Sequence, residues 1–439
     1  MFKLRELFHR IGLLQFFVLS IIIIVLFYNK NDSFLIVTYI YLLFLAFSVI
    51  KNKNTSLLAN NTSILLLLFI FLYGLFNSLI EIIIDKSISE GTYFATLAYG
   101  LAINGLTVGI ITKRIKNEYR KSYLNNLNCD KQSNIYVTFL ISVLIVLILY
   151  KTIFFYKLGI LFSFNNNGVE NRLEMFDSLS QVDVVVGLLI IGIFNYFVYY
   201  HKKISKLIVV TTSLLLIYYI IMQLSVGNRR DFVPIILGVF WVFVNLKNIN
   251  FGLSSFIIVI TIIFGFNYLG TLRANTGVKI SFNENVTNTL LNNEFVYPFF
   301  TTKYEIEEYR RNVYIYNFNY GGTYIVNSIT IFIPRSIFPS KPESLANQTL
   351  KKMFGNNTTI GLAYSPVTEA FINFGFIGCY GVFVLIGRFL IKLQNNKNQI
   401  LNFIFFTLVI DFCRGEMATF LYTFIFISLF FLLHRLRLK

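Results

Sequence analysis

What most constrains this chain is the alternation of long apolar runs with short turns that carry Lys or Arg. A helix needs about 20 predominantly apolar residues to cross the hydrocarbon core of a bilayer. Runs near that length recur from end to end: residues 11–28, 34–50, 63–84, 91–112, 135–156, 184–200, 207–225, 232–246, 252–272, 367–390, 400–413 and 417–433. The runs at 232–246 and 400–413 are short, and short spans thin the bilayer or draw on flanking residues. Only 13% of the residues are charged, against about 25% in soluble domains. An all-α polytopic membrane protein with about 12 transmembrane helices is the class that fits. The first run reads as a span and not as a removable signal, because no small-residue cleavage site follows it.

The turns test this arrangement. With the N-terminus inside, the cytoplasmic turns are residues 1–10, 51–54, 113–121, 201–206, 246–250, 392–398 and 434–439, and every one carries Lys or Arg. The opposite turns at 29–33 and 85–90 are nearly neutral. Positive turns stay on the cytoplasmic side, so both termini are expected there. The same bias accounts for most of the net charge of +17, which removes the usual reason to infer a nucleic-acid partner. No internal repeat or linker divides the chain. The expectation is a single membrane domain over residues 1–439 with one large extracytoplasmic loop, residues 273–366, inserted between the ninth and tenth spans and holding short helices. Four of the six prolines fall between residues 333 and 378.

On that outer side the charge rule breaks. Arg229 and Arg230 precede Asp231; Arg273 ends the ninth run; Arg335, Lys341, Lys351 and Lys352 lie in the long loop; Arg414 sits in the turn CRGE. A charge at the membrane centre costs about 2.5–3.5 kcal/mol on insertion scales, and near the interface an Arg snorkels at much lower cost. Interfacial anchoring therefore explains any one of these arginines. Arg229, Arg273 and Arg414 all end runs on the disfavoured side, and together they favour a shared anion-binding cavity. Arginine suits that task, being planar, permanently charged and bidentate toward phosphate oxygens.

Among the acids, Asp231 and Glu416 have neighbouring arginines to pair with. Glu369 is different. It follows Tyr-Ser-Pro-Val-Thr, a helix start with Pro366 in the first turn. A general base and a structural hydrogen-bonding group both remain open for it. The glycines Gly375, Gly378, Gly381 and Gly387 read as close helix packing. Tyrosines crowd the outer loop, where stacking on sugar rings competes with ordinary loop packing; Tyr320, Lys341, Glu343 and Tyr364 are the candidates for touching a sugar acceptor. His9, His201 and His434 fall in cytoplasmic turns, and Cys129, Cys379 and Cys413 form no paired motif. No metal site, nucleotide motif or other cofactor is therefore expected.

The motifs GNRRDF (227–232), LRANTG (272–277), IPRSIFPSKPES (333–344), YSPVTEAFINFGFIG (364–378) and DFCRGE (411–416), in this order and on one side of the membrane, resemble the landmarks of bacterial oligosaccharide repeat-unit polymerases, the Wzy-type O-antigen and capsule polymerases. The resemblance covers about the second half of the chain. It implies a GT-C-like membrane glycosyltransferase in the bacterial inner membrane. Such an enzyme joins undecaprenyl-diphosphate-linked oligosaccharides on the extracytoplasmic face, with a chain-length regulator and a flippase as further partners. Carried over by motif, Arg229, Arg230, Arg273, Arg335 and Arg414 hold the donor diphosphate, Arg229 and Arg273 act in catalysis, and Glu369 assists the acceptor hydroxyl. The related O-antigen ligases usually carry a His ahead of the tenth span; here that place is near Tyr364 and Ser365, with no His. The ligase is thus the runner-up reading, and a lipid-linked oligosaccharide flippase the third.

Overall fold

The computed structural model describes residues 35–42, 61–85, 87–112, 132–159, helical stretches within 182–197, residues 205–226, 235–241, 296–333, 337–355, 363–394 and 399–437. Every regular element among them is helical. They are α1 (Asn61–Asp85), α2 (Glu90–Thr112), α3 (Gln132–Lys157), α4 (Lys206–Val226), α5 (Val296–Arg311), α6 (Leu345–Phe354), α7 (Pro366–Gln394), α8 (Gln399–Thr407), α9 (Val409–Arg414) and α10 (Met417–Arg437). A π-helical turn, Thr323–Asn327, runs into a short helical turn, Ser328–Thr330. Helices α1, α2, α3, α4 and α7 are long and apolar enough to cross a membrane. Their bounds lie within a few residues of the expected runs. The run expected at 400–413 is two helices, α8 and α9, meeting at Leu408. The runs at 11–28 and 252–272 lie outside the described residues, as does most of 34–50.

The chain forms two compact units. One comprises Met1–Asn117, Leu291–Asn402 and Val409–Ile425; the other comprises Glu118–Leu290, Phe403–Leu408 and Phe426–Lys439. In the second unit α3 packs on α4, with the Thr152 and Tyr218 hydroxyls 2.9 Å apart. Trp241 there lies against Phe403 and Phe406, with ring centroids 5.6 and 4.7 Å away.

The first unit is built on α2 and α7, which make the most extensive helix contact among the described residues. Small residues let their backbones touch. A Cβ on Gly105 would overlap the Tyr380 carbonyl, one on Gly109 the Val384 carbonyl, and one on Gly387 the Leu106 carbonyl. Helix α1 closes on α2 through a shared short hydrogen bond between the Ser78 and Thr96 hydroxyls. The Thr62 hydroxyl donates to Asn402 Oδ1 at 2.9 Å.

Helix α5 is pinned across the mouth of α1 and α2 by charge. Lys303 Nζ meets Glu81 at 2.9 Å, and Arg310 meets Glu90 at 2.5 Å while its guanidinium lies 4.4 Å from the Phe94 ring centroid. Thr92 and Ser89 also donate to the Glu81 carboxylate. Glu81 near the end of α1 and Glu90 at the start of α2 are thus the two acids that anchor the loop helix.

Two of the four α7 glycines depart from the packing expectation. Gly375 has φ 65° and ψ −154°, a conformation outside the helix that breaks α7 into an outer and an inner half. Gly381 has open space where a Cβ would stand. Gly387 packs on α2 as expected, and Gly378 packs on Ala370 and Phe374 of its own helix across the break.

Candidate active site

The outer half of α7 begins as the sequence predicts. Ser365 caps it, its Oγ accepting from the Val367 N–H at 3.1 Å while its carbonyl accepts from the Glu369 N–H at 3.0 Å, with Pro366 in the first turn. The Tyr99 hydroxyl of α2 donates to Ser365 Oγ at 2.9 Å, and Thr368 Oγ1 lies 2.6 Å from Thr302 Oγ1 of α5. The first turn of α7 is therefore held from two sides.

One turn further in, Glu369 is fully buried. One carboxyl oxygen accepts from the Met417 N–H at 2.7 Å, at the start of α10, and the other from the Thr323 hydroxyl at 3.1 Å. A carboxylate offers about four acceptor positions, so both oxygens keep capacity for a further donor. Thr323 is itself fixed by Asn373, whose Nδ2 donates to Thr323 Oγ1 at 2.6 Å and to the Glu369 carbonyl at 2.8 Å.

Two more glutamates lie close by. Glu416 is 6% exposed and accepts from the Ala346 N–H at 2.8 Å, which ties the start of α6 to the turn between α9 and α10. Burial raises its carboxyl above the ordinary value, and the N–H groups of Ala346 and Leu345 offset only part of that. Glu305 of α5 is 2% exposed, accepts from the Thr349 hydroxyl of α6 at 2.9 Å, and meets Lys352 Nζ at 3.5 Å. Helix α6 is thus fastened at one end by Glu416 and at its middle by Glu305.

Tyr364 stands among the three acids. It is 1% exposed. Burial first, then the charges of Glu305, Glu369 and Glu416, hold its phenol well above the ordinary value. Its N–H donates to the Arg414 carbonyl at 3.2 Å, so the chain of Arg414 runs past the acid cluster. The structure brings together Glu369, Tyr364 and the backbone of Arg414 from the expected site. Glu343 instead forms a surface ion pair with Lys351 at 2.5 Å. Lys341 Nζ donates to the carbonyls of Ile331 and Ile333 at 3.1 and 3.2 Å. Tyr320 is exposed, with φ 43°. Arg229, Arg230, Arg273 and Arg335 lie outside the described residues.

Sequence reading missed Glu305 and Thr323. Glu305 sits in KYEIEEYRR beside two acids of the same type, and only its helical phase toward Phe299, Thr302 and Ile306 separates it from them. Thr323 carries no local signal at all. Among the described residues no group of acids, cysteines and histidines has the geometry to hold a metal ion.

Comparison with curated proteins and with solved structures returned no match. The family model for O-antigen polysaccharide polymerase Wzy matches residues 11–436. That match spans both compact units and every described helix, and the chain belongs to the Wzy O-antigen polysaccharide polymerase family.

Proposed function

We propose that this integral membrane protein is a glycosyltransferase that joins undecaprenyl-diphosphate-linked repeat units into O-antigen or capsular polysaccharide, on the extracytoplasmic face of the bacterial inner membrane. Glu369 is the group that receives the proton of the acceptor hydroxyl. The observation that carries this reading is a fully buried carboxylate with both oxygens oriented, by the Met417 N–H and the Thr323 hydroxyl, at the broken end of a membrane helix. Discontinuous helices place substrate and ion sites at membrane depth in secondary transporters.

In the reaction the acceptor oxygen attacks the anomeric carbon of the donor. The carbon–oxygen bond to the diphosphate breaks, and undecaprenyl diphosphate leaves with the electron pair. The acceptor proton passes to Glu369. The arginines Arg229, Arg230, Arg273, Arg335 and Arg414 hold the diphosphate and stabilise its developing charge, an effect worth about 3–4 kcal/mol for one well-placed donor. Tyr364 and Glu416 border the acceptor side.

Reconstitution tests this reading. Purified protein in liposomes with undecaprenyl-diphosphate-linked repeat units should give a ladder of longer glycans, and Glu369→Gln should not. A single transfer to a non-glycan acceptor would replace this reading with a ligase. Repeat units trapped on the cytoplasmic leaflet of deletion cells would replace it with a flippase.

A further inference from the structure

Between Asn312 and Pro334 the loop holds no Asp, Glu, Lys or Arg, although charged residues flank it on both sides. Within this stretch the turn Thr323–Asn327 and the turn that follows are amphipathic in reverse. Ile325, Val326, Ile329 and Phe332 are 63%, 46%, 61% and 48% exposed and share one face. The opposite face carries hydroxyls: Thr323 on Glu369, and the buried oxygens of Tyr324 and Ser328, which have no hydrogen-bond partner among the described residues. A segment in water would place these groups the other way round.

Helix α7 folds back at its break: Cys379 Sγ lies 3.7 Å from the Val367 carbonyl, 12 residues earlier, and a Cβ on Gly378 would overlap the Ala370 carbonyl. The outer half therefore packs beside the start of the inner half. Irregular backbone is tolerated within hydrocarbon only where its polar groups are satisfied within the protein. The four successive N–H groups of Asn319–Gly322 meet that condition. Asn319 donates to the Ile372 carbonyl at 3.0 Å, Tyr320 to the Asn373 carbonyl at 3.1 Å, Gly321 to Asn373 Oδ1 at 2.9 Å and Gly322 to the Asn319 carbonyl at 2.7 Å. The break at Gly375 lies next to the Ile372 and Asn373 carbonyls that accept these bonds.

Both ends of the segment lie against apolar helices, α7 and α10. Gly321 approaches the Phe374 ring of α7, beyond which Ile377 and Leu385 are 83% and 63% exposed. The Phe332 ring lies 5.2 Å from that of Tyr422 on α10.

We propose that Thr323–Phe332 is immersed in the bilayer leaflet beside the break in α7, with Ile325, Val326, Ile329 and Phe332 against lipid hydrocarbon. The segment then separates Glu369 from lipid, apolar on its outer face and hydroxyl-lined on its inner one. This assignment is independent of the polymerase chemistry, because it is read from accessibility and not from glycan product.

The test uses the full chain in liposomes, with Cys129 changed to Ser and the native Cys379 and Cys413 left buried. Nitroxide labels are placed at Ile329→Cys, at Leu385→Cys as the lipid reference and at Arg311→Cys as the water reference. Relaxation is measured with oxygen, which partitions into lipid, and with a water-soluble nickel chelate. Ile329 should match Leu385, with oxygen dominating. A match to Arg311 overturns the proposal. Protection from both reagents with spin–spin broadening also overturns it, in favour of a second copy of the chain covering this face. Should the label disturb folding, Ile329→Trp in a Trp241→Phe background replaces it: quenching by brominated acyl chains supports the immersion, and quenching by aqueous iodide alone overturns it.

Discussion

Helices α2 and α4 have equal mean hydropathy, yet 89% of the α2 span is buried within the protein and only 28% of the α4 span. The difference lies in side-chain size. Helix α2 reads EGTYFATLAYGLAINGLTVGIIT, with Gly, Ala and Thr throughout, and its backbone touches that of α7 at Gly105 and Gly109. Helix α4 has neither Gly nor Ala, and Leu207, Val210, Leu214 and Ile217 form an outward stripe. Lipid is as apolar as leucine, so hydropathy marks a span but says nothing about what the span faces. Small residues say it, because without a hydrophobic force between helices close approach supplies the packing. The enclosed helix also sits beside the buried polar groups, with its Tyr99 on the cap of the Glu369 turn.

Substitutions that reverse the size difference should have the largest effect. Gly109→Leu drives a side chain into the Val384 carbonyl, and little folded protein should survive detergent extraction. Leu214→Ala, 62% exposed on α4, should stay within about 0.5 kcal/mol of the parent; size-exclusion recovery and thermal unfolding of the pair read the contrast. Equal tolerance at both sites would remove the distinction. Next in size is Glu305→Ala, which strips the acceptor from the buried Thr349 hydroxyl and from Tyr316, whose OH lies 3.4 Å away. An orphaned buried group costs about 1–3 kcal/mol, so α6 should become sensitive to limited proteolysis while the α2–α7 contact stays intact.

Glu416 gives a pH signature. Its folded carboxyl titrates above the ordinary value because it is buried, so the folded state holds the proton more tightly than the unfolded one. Its contribution to stability is fully present at acid pH and declines as pH rises from the ordinary glutamate range through the folded value. Thermal unfolding across that range should show the decline, and Glu416→Gln should flatten it; an unchanged slope would assign the dependence elsewhere. The smallest effect belongs to the ion pair of Arg310 and Glu90, whose side chains are 34% and 45% exposed. A double-mutant cycle should give about 0.2–1 kcal/mol, fading with added salt.

Much of the membrane scaffold was legible. The described spans begin and end near the expected residues because apolar length and cationic turns are local properties. The cap at Ser365 and Pro366 was legible for the same reason. The break at Gly375 was not, since both glycines sit in one apolar run and nothing local separates them; Gly387 packs on the α2 backbone, whereas Gly375 leaves the helix. Glu369 stood out through its position at a helix start. Its partners did not: Thr323 and Met417 are 46 and 48 residues away, and Glu305 reaches α6 across 44. Such pairings arise from the tertiary fold and leave no periodic trace. The turn at 85–90 looked inert because Glu90 meets Arg310 only across the tertiary fold, in a distant helix.

The most direct test of the account is the turnover of Glu369→Gln in reconstituted liposomes supplied with lipid-linked repeat units. Glutamine keeps an acceptor for the Met417 N–H, and the Thr323 hydroxyl can rotate to accept from the new amide, so the fold should hold. Loss of a positioned general base lowers turnover by about 10²–10⁴-fold. The account predicts a loss in that range with unfolding temperature and binding of the lipid-linked donor unchanged. A variant that builds the glycan ladder at the parental rate would contradict it and return Glu369 to a purely structural role.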